Sequence, residues 1–493
     1  MEVCGGGRVY LYLLCTAINA NGPNSGCFTC KSRHARCDEK KPVCSNCERL
    51  NLQCRASEFI APSAWCTATE LPPGRQRIDH SESAPVEPPT STWDVFNNGI
   101  PGPSTSDSSK TSSAVSQPSV RSVPSPSVQA IAPNTVPLTA EMTYLLRTYQ
   151  SGVATWMDLF DHSCTYQRLV PRRMLFSELL LHCICAFTSK HLSLLINGEI
   201  WAPVAGRYYG KALHMLIELL GSTVPQDDAL TATILLSSYE MIAAQGQEHR
   251  RHFYGALMLI KTHGICARSV GLDKANFWIY VRHELVVALM TESKLLLSPA
   301  EWNVTFQEEE MQEDLLGNQL LWLLARAIDL VYEKDADTGE SVATTSERTD
   351  LLRAAERWFD GLPASFHGVA YGEATEEGFS KLYFAIPAAA NAMMYYHLLH
   401  IILYAEPNLP DPDPSQSSQV QYHAAKIASI AISHLPDSVR SFSQQALFYA
   451  AKHIHGLAKK TKIWTLLDDV EIRLGFHTRS RVKHLQELVE ATL

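Results

Sequence analysis

Six cysteines within 28 residues write one spacing twice, as Cys27-x2-Cys30-x6-Cys37 and Cys44-x2-Cys47-x6-Cys54. Paired CxxC thiols in a long chain without a secretory context are metal ligands rather than disulfide partners. Zinc takes four tetrahedral thiolate or imidazole ligands. Six cysteines could serve one zinc and leave two spare, which would waste half of the repeat. If two of them each bridge two zincs, six thiolates supply eight bonds and both metals are four-coordinate. The repeat favours that solution, with the equivalent positions Cys27 and Cys44 as natural bridges. RING, LIM and zinc-ribbon modules also use CxxC pairs, but they need eight ligands for two zincs or use histidine. The one histidine here, His34, lies in a basic run rather than at a ligand spacing. A helix starting near the second cysteine of each pair would aim its free N–H groups at the thiolates.

The charge around these cysteines is uneven. The chain carries a net −9, which on average excludes nothing and suggests no nucleic-acid partner. From Cys27 to Arg55, however, seven Lys/Arg stand against three Asp/Glu, so a +4 module rides on a −13 body. The first copy of the repeat holds Lys31, Arg33, His34 and Arg36 between its cysteines, while the second holds Glu48 and Arg49 and is nearly neutral. Only the first half suits a phosphate-lined groove.

With its x2, x6, x6, x2, x6 spacing, basic run after Cys30, Asp38 after Cys37 and Pro42 before the fourth cysteine, the module resembles the fungal Zn2Cys6 binuclear-cluster transcription factors. The resemblance implies two Zn2+ per chain. Cys27 and Cys44 would bridge, Cys30 and Cys37 would complete one zinc, and Cys47 and Cys54 the other. It implies two short helices, the first entering the major groove of double-stranded DNA over a CGG triplet. The pair near the bases maps to Arg33 and His34, where many relatives have Lys at the second position. His34 is a shorter, usually neutral donor to guanine. Lys31, Arg36, Lys40 and Lys41 are assigned to phosphate positioning. Such a chain is expected to be a nuclear, sequence-specific regulator of RNA polymerase II genes, metabolic or biosynthetic ones, and not an enzyme.

The rest of the chain must carry and control this module. Residues 1–24 show no periodic pattern. Val9–Leu14 faintly resembles a signal peptide, but Arg8 is its only basic residue, so the segment reads as a disordered or doubtful start. The DNA-binding module spans 25–57. Residues 58–137 are rich in Ser, Pro and Thr, cannot bury enough apolar surface to offset ordering entropy, and read as a disordered linker. Ala56–Gly74 contains Pro62, Pro72 and Pro73 and no heptad repeat. That leaves monomeric binding, a homodimer made through the helical region, or assisting partners.

Residues 138–493 form one large all-α domain. Apolar residues recur at helical spacing over Leu175–Leu195, Tyr208–Leu220, Ala229–Ala244, Phe253–Ile265, Phe277–Leu297, Leu315–Tyr332, Leu351–Phe359, Phe379–Tyr404, Ala424–Leu435 and Ala446–Leu457. No alternation is sustained enough for a sheet. Ala392–Tyr404 is the nearest thing to a membrane span, but it carries His397 and His400 and reads as a core helix. The passages His249–Leu257 and Phe277–Leu289 resemble the fungal-specific regulatory domain that accompanies such clusters. This implies a helical domain that senses metabolites or contacts coregulators. Gly255-Ala256 is expected to permit a close helix crossing.

Other chemistry is weakly supported. The histidine pairs His249/His252, His397/His400 and His453/His455 invite a metal or catalytic reading, yet buried hydrogen-bonded histidines are commoner. No GxSxG, phosphate loop or dinucleotide fingerprint is present. Cys183 and Cys185 read as core thiols. The acidic stretch from Glu301 has the composition of an activation segment, but more often such a stretch is a solvated helix start packed by Trp302 and Phe306. The runner-up function is a zinc-organised adaptor for acidic protein partners, and a third reading is a helical enzyme with an appended DNA-binding module.

Overall fold

A computed structural model describes residues 40, 43–50, 52, 135–222, 227–243, 250–304, 312–333, 344–406 and 414–490. The chain divides into two units. In the cysteine unit the described element is a short helix, α1 (Ser45–Arg49). The start of the chain, the first helix expected in the module and the linker up to residue 134 lie outside the described residues, and Val136 at the linker's expected end already donates to the Leu175 carbonyl at 2.8 Å.

The second unit is helical apart from one short hairpin among the described residues. Its elements are α2 (Ala140–Ser151), α3 (Val153–Met157), α4 (Thr165–Arg173), α5 (Glu178–Leu194), α6 (Ala202–Gly221), α7 (Ala229–Ala243), α8 (Arg250–Thr262) and α9 (Gly271–Thr291). Then come α10 (Glu313–Tyr332), α11 (Thr345–Asp360), a hairpin of β1 (Val369–Tyr371) and β2 (Lys381–Tyr383), α12 (Pro387–Ala405) and α13 (Pro414–Ala431). The chain closes with α14 (Asp437–Arg440), α15 (Gln444–His453), α16 (Leu457–Leu474) and α17 (Arg479–Glu490). Several starts are written in local chemistry. Thr139 and Ser177 accept the N–H groups of Met142 and Leu180 as N-caps. Thr344 and Glu347 form a reciprocal capping box at α11. Gly475 ends α16 at φ 75°, and a Cβ there would also come within 2.4 Å of Leu194 Cβ, so both backbone and packing call for glycine.

Two helices are apolar all round and are correspondingly buried. On α5 every residue from Leu179 to Ser189 is buried, and the helix packs against α2, α6 and α7. On α12 every residue from Ala388 to Leu403 is buried, and it packs against α10, α13 and α15. The span Ala392–Tyr404 is therefore a core helix, and among the described residues no helix is long and apolar enough to cross a membrane. Between the two bundles runs α9, which touches α7 on one side and α10 and α15 on the other. It buries Ala275–Leu285, including Arg282 and Glu284. Both charges act as staples. Arg282 donates from Nη1 to the Trp156 carbonyl at 3.1 Å and from Nη2 to that of Met157. Glu284 accepts the N–H of Leu297 at 2.9 Å and that of Leu296, and burial pushes its carboxyl up to about 7 against those N–H groups.

Most of the expected helical stretches are found. One differs instructively. The stretch beginning at Phe379 does not open a helix: Phe379 is buried ahead of β2, and α12 starts only at Pro387. The hairpin itself, paired from Val369↔Tyr383 to Tyr371↔Lys381, is too short to leave an alternation. Gly255 and Ala256 are buried on α8, which packs against α7. At Gly317 of α10 a Cβ would meet the Phe160 ring at 2.3 Å, so this glycine admits the Phe160 ring against the helix.

Candidate metal centre and DNA-binding module

The helix α1 begins immediately after Cys44, ahead of Cys47 rather than near it as expected. Cys44 is the N-cap, with extended φ/ψ of −69° and 149°, and its Sγ accepts the Cys47 N–H at 3.4 Å. The free N–H groups of the first turn thus point at the first sulfur of the pair, where thiolate charge is favoured. Both side chains are 1% exposed, and among the described residues Val43 and Leu52 are partly buried against them. Glu48 N–H donates to the Cys44 carbonyl at 3.0 Å and Leu52 N–H to that of Cys47 at 2.9 Å, so the chain turns away after the pair.

A five-residue helix is far below the length that holds itself in water. Two soft sulfur donors buried one helical turn apart, on a helix too short to hold itself, suit a thiolate-ligated metal. The donor set fits zinc.

The exposed face carries Glu48, Arg49 and Lys40. Arg49 Nη2 donates to Asn46 Oδ1 at 3.3 Å, within the same short helix. Of the expected site residues the structure brings Cys44 and Cys47 together and leaves Lys40 exposed. Cys27, Cys30, Cys37, Cys54, Lys31, Arg33, His34, Arg36 and Lys41 lie outside the described residues.

The helical unit holds the other groups that drew attention. His397 and His400 of α12 are joined by His423 of α13, which pattern reasoning missed because it lies on another helix. His397 Nδ1 and His423 Nδ1 are 2.8 Å apart, so one ring donates and the other accepts, and both are neutral. His400 stacks on His423 at 4.2 Å between centroids and donates from Nδ1 to the Tyr396 carbonyl. Burial pushes His400 down to about 4 and His397, with its neighbours' help, to about 3. Among the described residues no group of three His, Cys, Asp or Glu is arranged to hold a metal ion. His453 Nε2 lies 2.7 Å from Glu406 Oε1, a buried carboxylate that Lys452 also meets at 2.7 Å. His252 Nε2 sits 3.2 Å from Tyr209 Oη, and His249 is outside the described residues. Cys183 and Cys185 are fully buried, and burial lifts both thiols, Cys185 to about 12, so both are inert core groups.

The cluster of rings makes a pH prediction. A histidine held near 4 in the fold and near 6.5 unfolded gives stability present above pH 6.5 and lost as pH falls toward 4. His400→Phe removes that group. Relative to the parent, the variant should therefore gain about 2 kcal/mol between about pH 7.5 and about pH 5. Urea denaturation at the two pH values checks it, and a constant difference would refute it.

Comparison with known proteins gives two family matches. Residues 144–490 match the fungal specific transcription factor domain, and residues 25–62 match the fungal Zn(2)-Cys(6) binuclear cluster domain. Among curated proteins, similarity is confined to short stretches. Adhesion and hyphal regulator 1 of Candida albicans is 46% identical over 39 residues, 8% of this chain and 6% of that protein. Sterol uptake control protein 2 of the same organism is 40% identical over 57 residues, 11% of this chain and 8% of that protein. Transcriptional regulatory protein moc3 of Schizosaccharomyces pombe is 34% identical over 64 residues, 13% of this chain and 12% of that protein. The chain thus spans about a tenth of the length of these relatives. No solved structure matches it.

Proposed function

Since the chain belongs to the fungal transcription factors with a Zn(2)-Cys(6) cluster and a fungal specific regulatory domain, we propose that it reads CGG triplets in the major groove of double-stranded DNA and regulates metabolic or biosynthetic genes transcribed by RNA polymerase II in the nucleus. The cluster domain binds zinc; the proposal gives it two, bridged by Cys27 and Cys44, with Cys30 and Cys37 on one metal and Cys47 and Cys54 on the other. The observation that carries the reading is the Cys44–Cys47 pair at the start of α1, two thiols buried one helical turn apart with Cys44 capping the helix. When bound, zinc supplies the divalent charge that holds the thiolates in tetrahedral geometry.

The chain's own residues do the rest. Lys31, Arg36, Lys40 and Lys41 neutralise phosphates and set the register. Arg33 and His34 face base edges. Residues 25–57 form the DNA-binding domain, 58–137 the linker and 138–493 the regulatory domain, which contacts coregulators and in a homodimer would also set half-site spacing. The division of labour predicts distinct variants. Lys40→Ala should weaken binding about equally on all sequences and lower the salt slope by about one. Arg33→Ala or His34→Ala should relax base preference by roughly 1–3 kcal/mol. Identical sequence profiles in all three would refute the assignment.

Random-oligonucleotide selection with zinc-loaded full-length protein at fixed salt tests the function. Enrichment of CGG triplets, one or a spaced pair, supports it and reports monomer or dimer. No enrichment with zinc bound overturns it in favour of a protein-binding adaptor.

A further inference from the structure

Where α9 passes between the bundles, it borders a cavity of about 300 Å³ closed by α3, α7, α15 and α17. The wall is mainly apolar, with Trp156, Phe187, Ile279, Val286 and Phe476 among its residues. Its charged and titratable members are all of one kind. Arg282, Arg481, His283 and His477 line it, and among the described residues no Asp or Glu does. Arg282 is 2% exposed, yet among the described residues neither guanidinium is in an ion pair. Of the two carboxylates whose charge reaches Arg282, Asp158 spends its oxygens on the N–H groups of Tyr166 and Gln167 at 2.8 Å, and Asp161 spends its own on those of Ser163 and Thr165 at 3.0 Å.

The two arginines differ in what the fold asks of them. Arg282 satisfies the carbonyls of Trp156 and Met157 at the end of α3, though its Nε has no hydrogen-bond partner. That gives it a structural duty. Arg481 has less of one. It is half-buried, donates from Nη1 to Gln445 Oε1 at 2.6 Å, and stacks 4.4 Å over the Phe448 ring. Burial lowers both guanidinium groups to about 10, so both stay charged at neutral pH. A buried cation and a half-buried one, neither in a direct ion pair among the described residues, favour an anion between them, and a planar guanidinium is the group best matched to a carboxylate. The cavity size sits at the small end of ligand sites, and apolar walls with a few placed polar groups are what such sites consist of. Among the described residues no lysine and no glycine-rich loop lines it, which argues against a polyphosphate.

We propose that this cavity binds a small apolar carboxylic acid, its hydrocarbon or aromatic body against Trp156, Ile279 and Phe476 and its carboxylate on Arg481 beside Arg282. The proposal goes beyond the DNA-binding reading and does not depend on it, since binding is measured without DNA.

The test uses zinc-loaded full-length protein with octanoate and phenylacetate as probes, and 1-octanol, 2-phenylethanol and octylamine as neutral and cationic controls. Calorimetry and Trp fluorescence report binding. At least one acid should bind saturably at one per chain, about tenfold to a hundredfold more tightly than its alcohol or the amine. Arg481→Gln should remove that advantage while alcohol binding stays as it was. Equal affinity for acid and alcohol overturns the proposal, as does no saturable binding of either acid at millimolar concentration. A folded Arg481→Gln protein that keeps the full preference overturns it too. The comparison of acid with alcohol stands on the unmodified protein, so it decides even where the variant fails to fold.

Discussion

Replacing Cys44 by Ser is expected to abolish specific DNA binding and unfold the cysteine module, while the helical unit keeps its own unfolding transition. The reason is the poverty of what else holds α1. Cys44 caps the helix, Cys47 lies one turn on, and Val43 and Leu52 are the only apolar side chains packed against them among the described residues. Binding of structural zinc supplies about 10–16 kcal/mol of folding free energy in small modules, far more than so little burial supplies. In the proposed bridging arrangement Cys44 serves both metals, so its loss strips a ligand from each, whereas Cys47→Ser touches one. Bound zinc per chain should therefore fall further in Cys44→Ser than in Cys47→Ser, and DNA affinity should drop by more than about a hundredfold in the former. Metal analysis and fluorescence anisotropy on a CGG-containing duplex measure the two quantities. Unchanged zinc content and affinity in Cys44→Ser would end the bridging assignment.

The second large effect is expected far from the zinc. Trp302 is 0% exposed, in a short turn (Pro299–Trp302) between α9 and α10. Its ring meets Phe277 and Trp278 edge-on at 6.0 and 6.1 Å, and its indole N–H donates to the Leu297 carbonyl at 3.0 Å. Its own carbonyl accepts the Ala267 N–H. Trp302→Ala opens a cavity beside the bridging helix, orphans the Leu297 carbonyl and should cost roughly 3–5 kcal/mol. Trp302→Phe, which keeps most of the volume and loses the donor, should cost less. Neighbouring Glu301, in an exposed ion pair with Lys261 at 3.0 Å, should matter little when replaced. Denaturant midpoints order the three variants, and a Trp302→Ala protein as stable as the parent would refute this account of the core. The acidic stretch thus begins as packed structure at Trp302, while Phe306 is outside the described residues.

How much of this was legible depended on how strongly each element repeats itself. The cysteine spacing is a chemical signature, and it carried the family. α5, α9, α10 and α12 announce themselves because they are buried on most sides and apolar throughout. α17 was missed because it buries only Val482 and Leu485, too few to make a period. α16, with Lys459, Lys460 and Lys462 near its start, hid its apolar face behind charge. α4 was missed for a different reason: it carries Pro171, which reads as a breaker. The histidine cluster and the basic cavity were invisible because each joins residues from separate helices, and only packing brings His423 to His397 or Arg481 near Arg282.

Within α4, Pro171 offers no N–H to the Gln167 carbonyl one turn back, and Gln150 Nε2 of α2 supplies the missing donor at 3.3 Å. The fates of positions 150 and 171 are therefore tied in descent. A lineage that loses the amide at 150 while keeping proline at 171 leaves that carbonyl to solvent, whereas one that first regains an N–H at 171 restores the helix's own bond. The order in which two substitutions arise therefore sets which donor the carbonyl has in between.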